Sequence, residues 1–209
     1  MDFLYSYIAL AEIYVLLGLS TNLLVGIAGI FSVSQAAVFG VGAYIVAFCL
    51  MHGVMGFVPA LLVGLGLLPG LLADHAGPFG RLLRAIREDE MAVAAAGKGV
   101  LRAKISAAAL AGAFAGSAGG LYAMFLSFVD PSSFDLDASI LLLTMVVVGG
   151  ARTLAGSVIG PFLLLALPQA LALIDIPTSI AASARQFIYG VLLIAFMLFR
   201  PQGLAGEKL

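Results

Sequence analysis

The sequence predicts an all-α integral membrane protein, a polytopic helix bundle of about seven transmembrane segments that include broken or re-entrant parts. The first observation is composition: 63% of the 209 residues are hydrophobic and only 10% are charged, with a mean hydropathy of +1.17. Soluble domains carry roughly 45–50% apolar and about 25% charged residues. The second is continuity, because the apolar stretches lack the alternation of barrel strands. These features exclude a soluble globular domain, a disordered chain and a nucleic-acid-binding protein with a basic face.

The uncharged stretches locate the predicted spans. From Ile13 to Ala73 the sequence contains no Asp, Glu, Lys or Arg, and one span takes about 20 residues. Two later windows are short and become spans only if Arg152, Arg185 and Arg200 extend from their ends toward the membrane surface. All of residues 1–209 then form one membrane domain, with segments at about 5–28, 35–53, 56–73, 105–127, 138–152, 156–174 and 184–200.

The basic residues predict the orientation of the bundle. Six of the ten Lys and Arg residues lie between positions 81 and 104. Positive charge in short loops marks the cytoplasmic side of a membrane. With this loop inside, the alternation of spans places the N-terminus outside and the C-terminus in the cytoplasm.

Small residues form a strip in the fourth predicted span. Gly112, Gly116 and Gly120 recur every four residues, which places them on one helix face. Such strips let helix backbones approach closely. Gly156 and Gly160 repeat the spacing in a later span. Ordinary helix packing explains both strips, and neither indicates a dimer by itself.

Polar residues interrupt the first uncharged region. Asn22, Ser32, Ser34 and Gln35 stand among glycines between residues 18 and 44. Irregular backbone at membrane depth is tolerated where it is buried in protein or lines a wet cavity, so these residues are candidates for a translocation path. An ordinary turn at the membrane surface explains them equally well. Glu12 is an acid inside an apolar run, either functional or placed at the outer interface.

The charged stretch after the third predicted span is expected to form one helix over residues 81–96. Leu82, Ile86 and Val93 lie near one face of this helix. Gly97 is predicted as its C-terminal cap, with Lys98 beside the negative end of the helix dipole. The helix either docks a cytoplasmic partner or is a solvated connector.

Two other functional classes find little support in the residues. An intramembrane enzyme needs a nucleophile beside a base, but His52 and His75 are the only histidines and fall near opposite faces. No cluster has metal-ligand spacing. A channel or secondary carrier usually needs ionisable residues inside the bundle, and the predicted spans offer none beyond Glu12.

Five ordered blocks carry a family resemblance. The stretch GRLLRAIREDEMAVAAAG at 80–97 resembles the cytoplasmic coupling loop of branched-chain amino acid ABC transporter permeases, the LivH/LivM family, and especially its LivM branch. The other blocks follow in the expected order: LSTNLLVGIAGIFSVSQAAVFGVGAY at 19–44, LAGAFAGSAGGLYA at 110–123, FVDPSSFDLDASILLLTMVVVGGARTLAGSVIGP at 128–161 and IYGVLLIAFMLFRPQGL at 188–204.

The resemblance implies a permease subunit in a bacterial inner membrane, importing branched-chain or related small amino acids. Implied partners are a second permease subunit, two cytoplasmic ABC ATPase subunits and a periplasmic substrate-binding protein. The chain itself is expected to be no enzyme and to hold no cofactor, because it lacks a G-x-x-x-x-G-K-[ST] phosphate loop. The implied ATPase-coupling residues are Arg84, Arg87, Glu88, Asp89, Glu90, Ala95 and Gly97.

One departure from the family leaves alternatives open. Only residues 45–78 separate the GAY block from the GRLLRAIR block, where the family has a longer region with further spans. The chain could therefore be a short, divergent or non-transporting permease-like protein. Urea and short amides are alternative substrates within the family.

Overall fold

The computed structural model describes residues 2–32, 34–52, 77–151, 153–172, 187–195 and 198. These parts of the chain contain helices and no strand, as the sequence predicts. Residues 187–195 are also helical. The other elements are α1 (Asp2–Thr21), a π-helical segment (Asn22–Ile27), α2 (Gln35–Met51), α3 (Pro78–Glu88), α4 (Glu90–Ala95), α5 (Val100–Leu126), a 3₁₀ turn (Pro131–Phe134), α6 (Leu136–Gly149) and α7 (Leu154–Ala172).

Two helices within the described ranges are long and apolar enough to cross a membrane. They are Tyr5–Ile27, which joins α1 to the π-helical segment, and Val100–Leu126. Shorter apolar helices cover Gln35–Met51, Leu136–Gly149 and Leu154–Ala166. Helix therefore occupies the described parts of the predicted segments, and the count of seven spans stays a prediction. The segment 56–73, His75, Arg152, Arg185 and Arg200 lie outside the described residues.

The first helix lies at the centre of the described bundle. It packs against α5, α6 and α7, while α2 packs mainly against α5. Leu17, Leu23 and Ile27 are fully buried against side chains from several helices, among them Phe114 and Met145. The π-helical segment is buried along its whole length. The point where the first helix breaks is therefore enclosed by the rest of the fold.

Glycines set the contact between α2 and α5. A Cβ atom on Gly119 would lie 1.9 Å from the carbonyl oxygen of Phe39, so only a residue without a side chain fits there. A Cβ atom on Gly42 would likewise lie 2.1 Å from the carbonyl oxygen of Gly116. By contrast, a Cβ on Gly112 would lie 3.8 Å from Val38. The glycine strip faces α2, but its closest approach involves Gly119, one position away from the predicted spacing.

The order of these contacts gives the relative direction of the two helices. Along α5, Gly112 meets Val38, Gly116 meets Gly42 and Gly120 meets Val46. Positions rise together on both helices, so α2 and α5 run parallel. Helix α3 packs beside the π-helical segment, near the start of α2. The end of α2 and the start of α3 therefore lie toward opposite ends of the bundle.

We predict that Gly119→Ala destabilises the protein while Gly112→Ala does not. The added methyl group at position 119 would meet the Phe39 backbone, and overpacking of this kind costs about 1–3 kcal/mol. At position 112 there is room, and alanine favours a helix over glycine by up to about 1 kcal/mol. Thermal unfolding of the two variants in detergent checks the difference. Equal melting temperatures would contradict the described α2–α5 contact.

Candidate functional site

The charged loop is anchored to the bundle by one face of α3. Pro78 occupies the first turn of the helix, where its missing N–H removes no hydrogen bond. Gly80, Leu83 and Ile86 are buried, at a spacing of three residues that places them on one side. Arg81 and Ala85 are exposed. The helix is therefore fixed on the bundle and presents its polar side outward.

The predicted single helix over 81–96 is wrong at Asp89. This residue has an extended backbone, with φ −150° and ψ 100°, and separates α3 from α4. Its carboxylate accepts a hydrogen bond of 2.9 Å from the backbone N–H of Ala92. Asp competes with the helix backbone in this way and is a preferred N-cap residue. Asp89 therefore starts a new helix instead of continuing the first.

Gly97 ends α4 as the sequence predicts. Its φ of +74° lies in the left-handed region, which glycine adopts without steric penalty. The Gly97 N–H donates to the Ala94 carbonyl at 3.0 Å, and the Lys98 N–H donates to the Val93 carbonyl at 3.3 Å. This pair of bonds is the Schellman motif. A Cβ on Gly97 would meet nothing within 4 Å, so the position is open to the surroundings.

The short helix α4 has no buried residue. Ala95 is exposed, and the side chain of Met91 is 80% exposed. Isolated exposed apolar residues are ordinary on a protein surface, but here an exposed methionine adjoins a run of small residues. The only signal of Met91 in the sequence is that an apolar residue directly follows three acids, and the pattern of the helix does not single it out.

Glu90 is paired within the chain. Its carboxylate lies 2.5 Å from the ammonium group of Lys104 on α5. The two side chains are 55% and 31% exposed, and pairs on a surface contribute about 0–1 kcal/mol. The ion pair therefore orients α4 on α5 more than it stabilises the fold.

The first helix changes its hydrogen bonding where it ends. The Ala28 N–H donates to the Leu23 carbonyl at 3.0 Å, and the Ile30 N–H donates to the Leu24 carbonyl at 2.9 Å. These bonds span more residues than in an α-helix, and π-helical turns are frequent at functional sites. Gly29 then turns the chain with φ +69°. Residues 28–32 and 34, which lead into α2, are not helical.

Arg87 connects the loop to this broken helix end. Its guanidinium Nη1 donates a hydrogen bond to the carbonyl of Gly26. The apolar stem of the same side chain covers Gly29, where a Cβ would lie 2.8 Å from Arg87 Cγ. Arginine at a helix C-terminus satisfies a carbonyl that has no partner in its own helix. The loop and the break in the first helix are therefore one continuous site.

The predicted path residues fall into two groups. Asn22 is buried, and its amide donates to the Thr153 carbonyl at 3.0 Å and to Ser157 Oγ at 2.7 Å. Gln35 is also buried, and its amide donates to Ser20 Oγ. Ser32 is half-buried and Ser34 is exposed, with their hydroxyl oxygens 2.7 Å apart. The structure thus brings Asn22 and Gln35 into contacts between helices and leaves the two serines at the surface.

Two other residues from the sequence lie away from this site. Glu12 is on the exposed side of α1. His52 is exposed at the C-terminal end of α2, and its ring stacks near Phe48. Within the described ranges, no group of three or more His, Cys, Asp or Glu side chains is arranged to hold a metal ion.

Comparison with known proteins assigns the family. Residues 71–197 match the family described as "branched-chain amino acid transport system / permease component". The chain belongs to this permease family. The match contains the loop helices, α5, α6 and α7, and it places the protein in a membrane. The break in the first helix precedes the matched residues.

Curated relatives agree with this assignment. The chain is 33% identical over 127 residues to the high-affinity branched-chain amino acid transport system permease protein LivM of Escherichia coli, and equally to that of Salmonella typhimurium. These matches cover 61% of the chain and 28% of each relative. A probable LivM protein of Methanocaldococcus jannaschii is 27% identical over 139 residues, covering 63% of the chain and 40% of the relative. The chain thus spans well under half the length of these relatives. No solved structure matches it.

We predict that Asn22→Leu destabilises the protein and Ser34→Leu does not. The first change removes two hydrogen bonds made by a fully buried side chain, and each such bond contributes about 0.5–1.5 kcal/mol to stability. The second changes an exposed side chain, for which effects stay within about 0.5 kcal/mol. Thermal unfolding in detergent measures both. An Asn22→Leu variant that keeps wild-type stability but loses uptake would instead assign Asn22 to a path.

Proposed function

We propose that the chain is the membrane-spanning permease subunit of a bacterial ABC importer for branched-chain or related small amino acids, energised by separate ATPase subunits. The family match supports a transport role, and the named relatives transport branched-chain amino acids. The observation that carries the proposal is the loop. The helix α4 buries none of its residues, although α3 beside it is firmly anchored.

The proposed ATPase-docking surface is the exposed side of α4 and its C-terminal cap. Ala95 and Gly97 supply a small-residue end that a partner can approach closely, and Met91 supplies an adaptable apolar contact. Of the other implied coupling residues, Arg84 and Glu88 lie on α3. Arg87 reaches Gly26, Asp89 caps α4 and Glu90 pairs with Lys104. Each of these three therefore has a contact inside the chain that its replacement would disturb.

The proposed orientation places this surface in the cytoplasm, the N-terminus in the periplasm and the C-terminus inside. Helix α5 has 27 residues and is about 40 Å long at 1.5 Å per residue. It separates the basic loop from the acidic stretch around Asp130. The charge asymmetry follows the positive-inside rule. The parallel course of α2 and α5 requires an odd number of crossings between them, and the sequence predicts one, over 56–73.

The proposed substrate path runs beside the break in the first helix. Ser34 is exposed there and Ser32 is half-buried, and a second permease subunit would cover them. Selectivity is assigned mainly to a periplasmic binding protein, since this stretch of the chain carries no charge between Ile13 and Ala73. A second candidate is a non-transporting permease-like protein. It is favoured by the small share of the relatives' length that the chain covers.

We predict that Ala95→Trp and Gly97→Trp abolish retention of the ATPase subunit. Both positions are exposed, so an indole fits without disturbing the bundle, but it holds a partner away from the small-residue surface. Gly97→Trp also costs about 1 kcal/mol of backbone strain at its positive φ. Co-purification of the tagged permease with the ATPase measures the effect, and at least a tenfold loss is expected.

Two controls separate docking from folding. Ser132→Trp, exposed at the opposite end of α5, should leave retention unchanged. Gly97→Asn keeps a residue that tolerates the left-handed region and should retain most of the partner. If both tryptophan variants bind the ATPase normally and sustain uptake, the loop is a solvated connector. A wild-type complex that binds the ATPase but transports no substrate would favour the non-transporting alternative.

A further inference from the structure

Docking of an ATPase at α4 does not explain why Arg87 forms a hydrogen bond with the first helix. Arg87 lies on α3, whose Leu83 and Ile86 are anchored in the core. Its guanidinium reaches the carbonyl of Gly26 in the buried π-helical segment. A residue that served only a cytoplasmic partner would have no need of this contact.

The carbonyl of Gly26 is one of the buried groups that lose a helical partner at the break in the helix. Carbonyls in the last turn of a helix have no partner in the helix itself. Those of Leu23 and Leu24 accept from Ala28 and Ile30, and that of Gly26 accepts from Arg87. A positive charge there also complements the negative end of the helix dipole. Arg87 thus acts as a C-terminal cap supplied by a different helix.

The apolar stem of Arg87 adds a steric constraint to this cap. Gly29 turns the chain with φ +69° directly beneath the side chain. A Cβ at this position would lie 2.8 Å from Cγ, 3.3 Å from Cδ and 3.4 Å from Cβ of Arg87. The turn therefore fits against Arg87 only because residue 29 is glycine. A shift of α3 would move the guanidinium and the stem together and would release both the carbonyl and the turn.

The N-terminal end of the π-helical segment is fixed to another helix. Asn22, at the start of the π-helical segment, donates to Thr153 and Ser157 at the beginning of α7. One end of the segment is therefore bound to α7, while the other end is bound to the loop. Any displacement of α3 relative to the bundle acts on the residues between these two points.

We propose that Arg87 is a positioning residue that couples movement of α3 to the broken end of the first helix, and that it is not a contact with the ATPase. The proposal rests on the proposed docking of an ATPase at α4. Docking moves the loop, and Arg87 passes that movement to Gly26 and Gly29. The stretch that carries Ser32 and Ser34 follows immediately, so the movement reaches the proposed substrate path.

Amide hydrogen exchange on the full chain in lipid nanodiscs tests the contact without an ATPase. Arg87→Met keeps an apolar stem but removes the donor, and it is expected to speed exchange of the amides in residues 27–32 roughly tenfold. Arg87→Lys retains the charge and should give an intermediate rate. Arg102→Met removes an exposed arginine near the same loop and should change nothing. Unchanged exchange in Arg87→Met would overturn the proposal.

Uptake by the complete transporter in proteoliposomes tests the coupling role. Arg87→Met should retain the ATPase and its hydrolysis of ATP, while substrate taken up per ATP falls roughly tenfold. Loss of ATPase retention in this variant would make Arg87 a docking contact and overturn the proposal. Normal uptake per ATP would also overturn it. If the wild-type permease itself retains no ATPase, the proposed function fails first, whatever the exchange measurement shows.

Discussion

Backbone groups that lose their helical partners must find others when they lie in an apolar environment, and the first helix meets this requirement at its break. The π-helical turn and the Arg87 cap supply hydrogen bonds to carbonyls of the interrupted backbone. The buried Asn22 amide fixes the same segment to α7. In lipid, irregular backbone is tolerated only where protein or water covers it. The helices around α1 are therefore arranged to enclose the break, and the loop helix α3 belongs to that enclosure.

Close packing of the remaining helices follows from small residues. Gly42 and Gly119 let α2 and α5 approach to backbone contact, and Gly149 and Gly160 do the same for α6 and α7. Membrane helices gain little from apolar burial against one another, since lipid is equally apolar, so contact distance decides their association. These contacts make the bundle a firm base. The exposed helix α4 and its Schellman cap are held on that base by α3 and by the pair of Glu90 with Lys104.

Local patterns predicted the parts of the fold that depend on local chemistry. The uncharged stretches located helices, and Gly97 was recognisable as a cap because a left-handed residue favours glycine. The single helix predicted over 81–96 was wrong at Asp89, because three consecutive acids are compatible both with the interior of a helix and with a helix cap. Gly119 was missed because a spacing of four residues does not reveal where two helices cross. Nothing local shows that Arg87 reaches Gly26, which is 61 positions away, or that Asn22 binds residues of α7.

Site-specific photo-cross-linking in the assembled transporter tests most directly whether the loop docks the ATPase in the cytoplasm. A photoreactive residue at Met91, 80% exposed on α4, is compared with one at Phe128, 72% exposed beyond the far end of α5. Docking of the ATPase at α4 in the cytoplasm predicts an ATPase adduct from position 91 and none from position 128. An adduct from position 128 alone would reverse the orientation, and no ATPase adduct from position 91 would contradict docking at the loop.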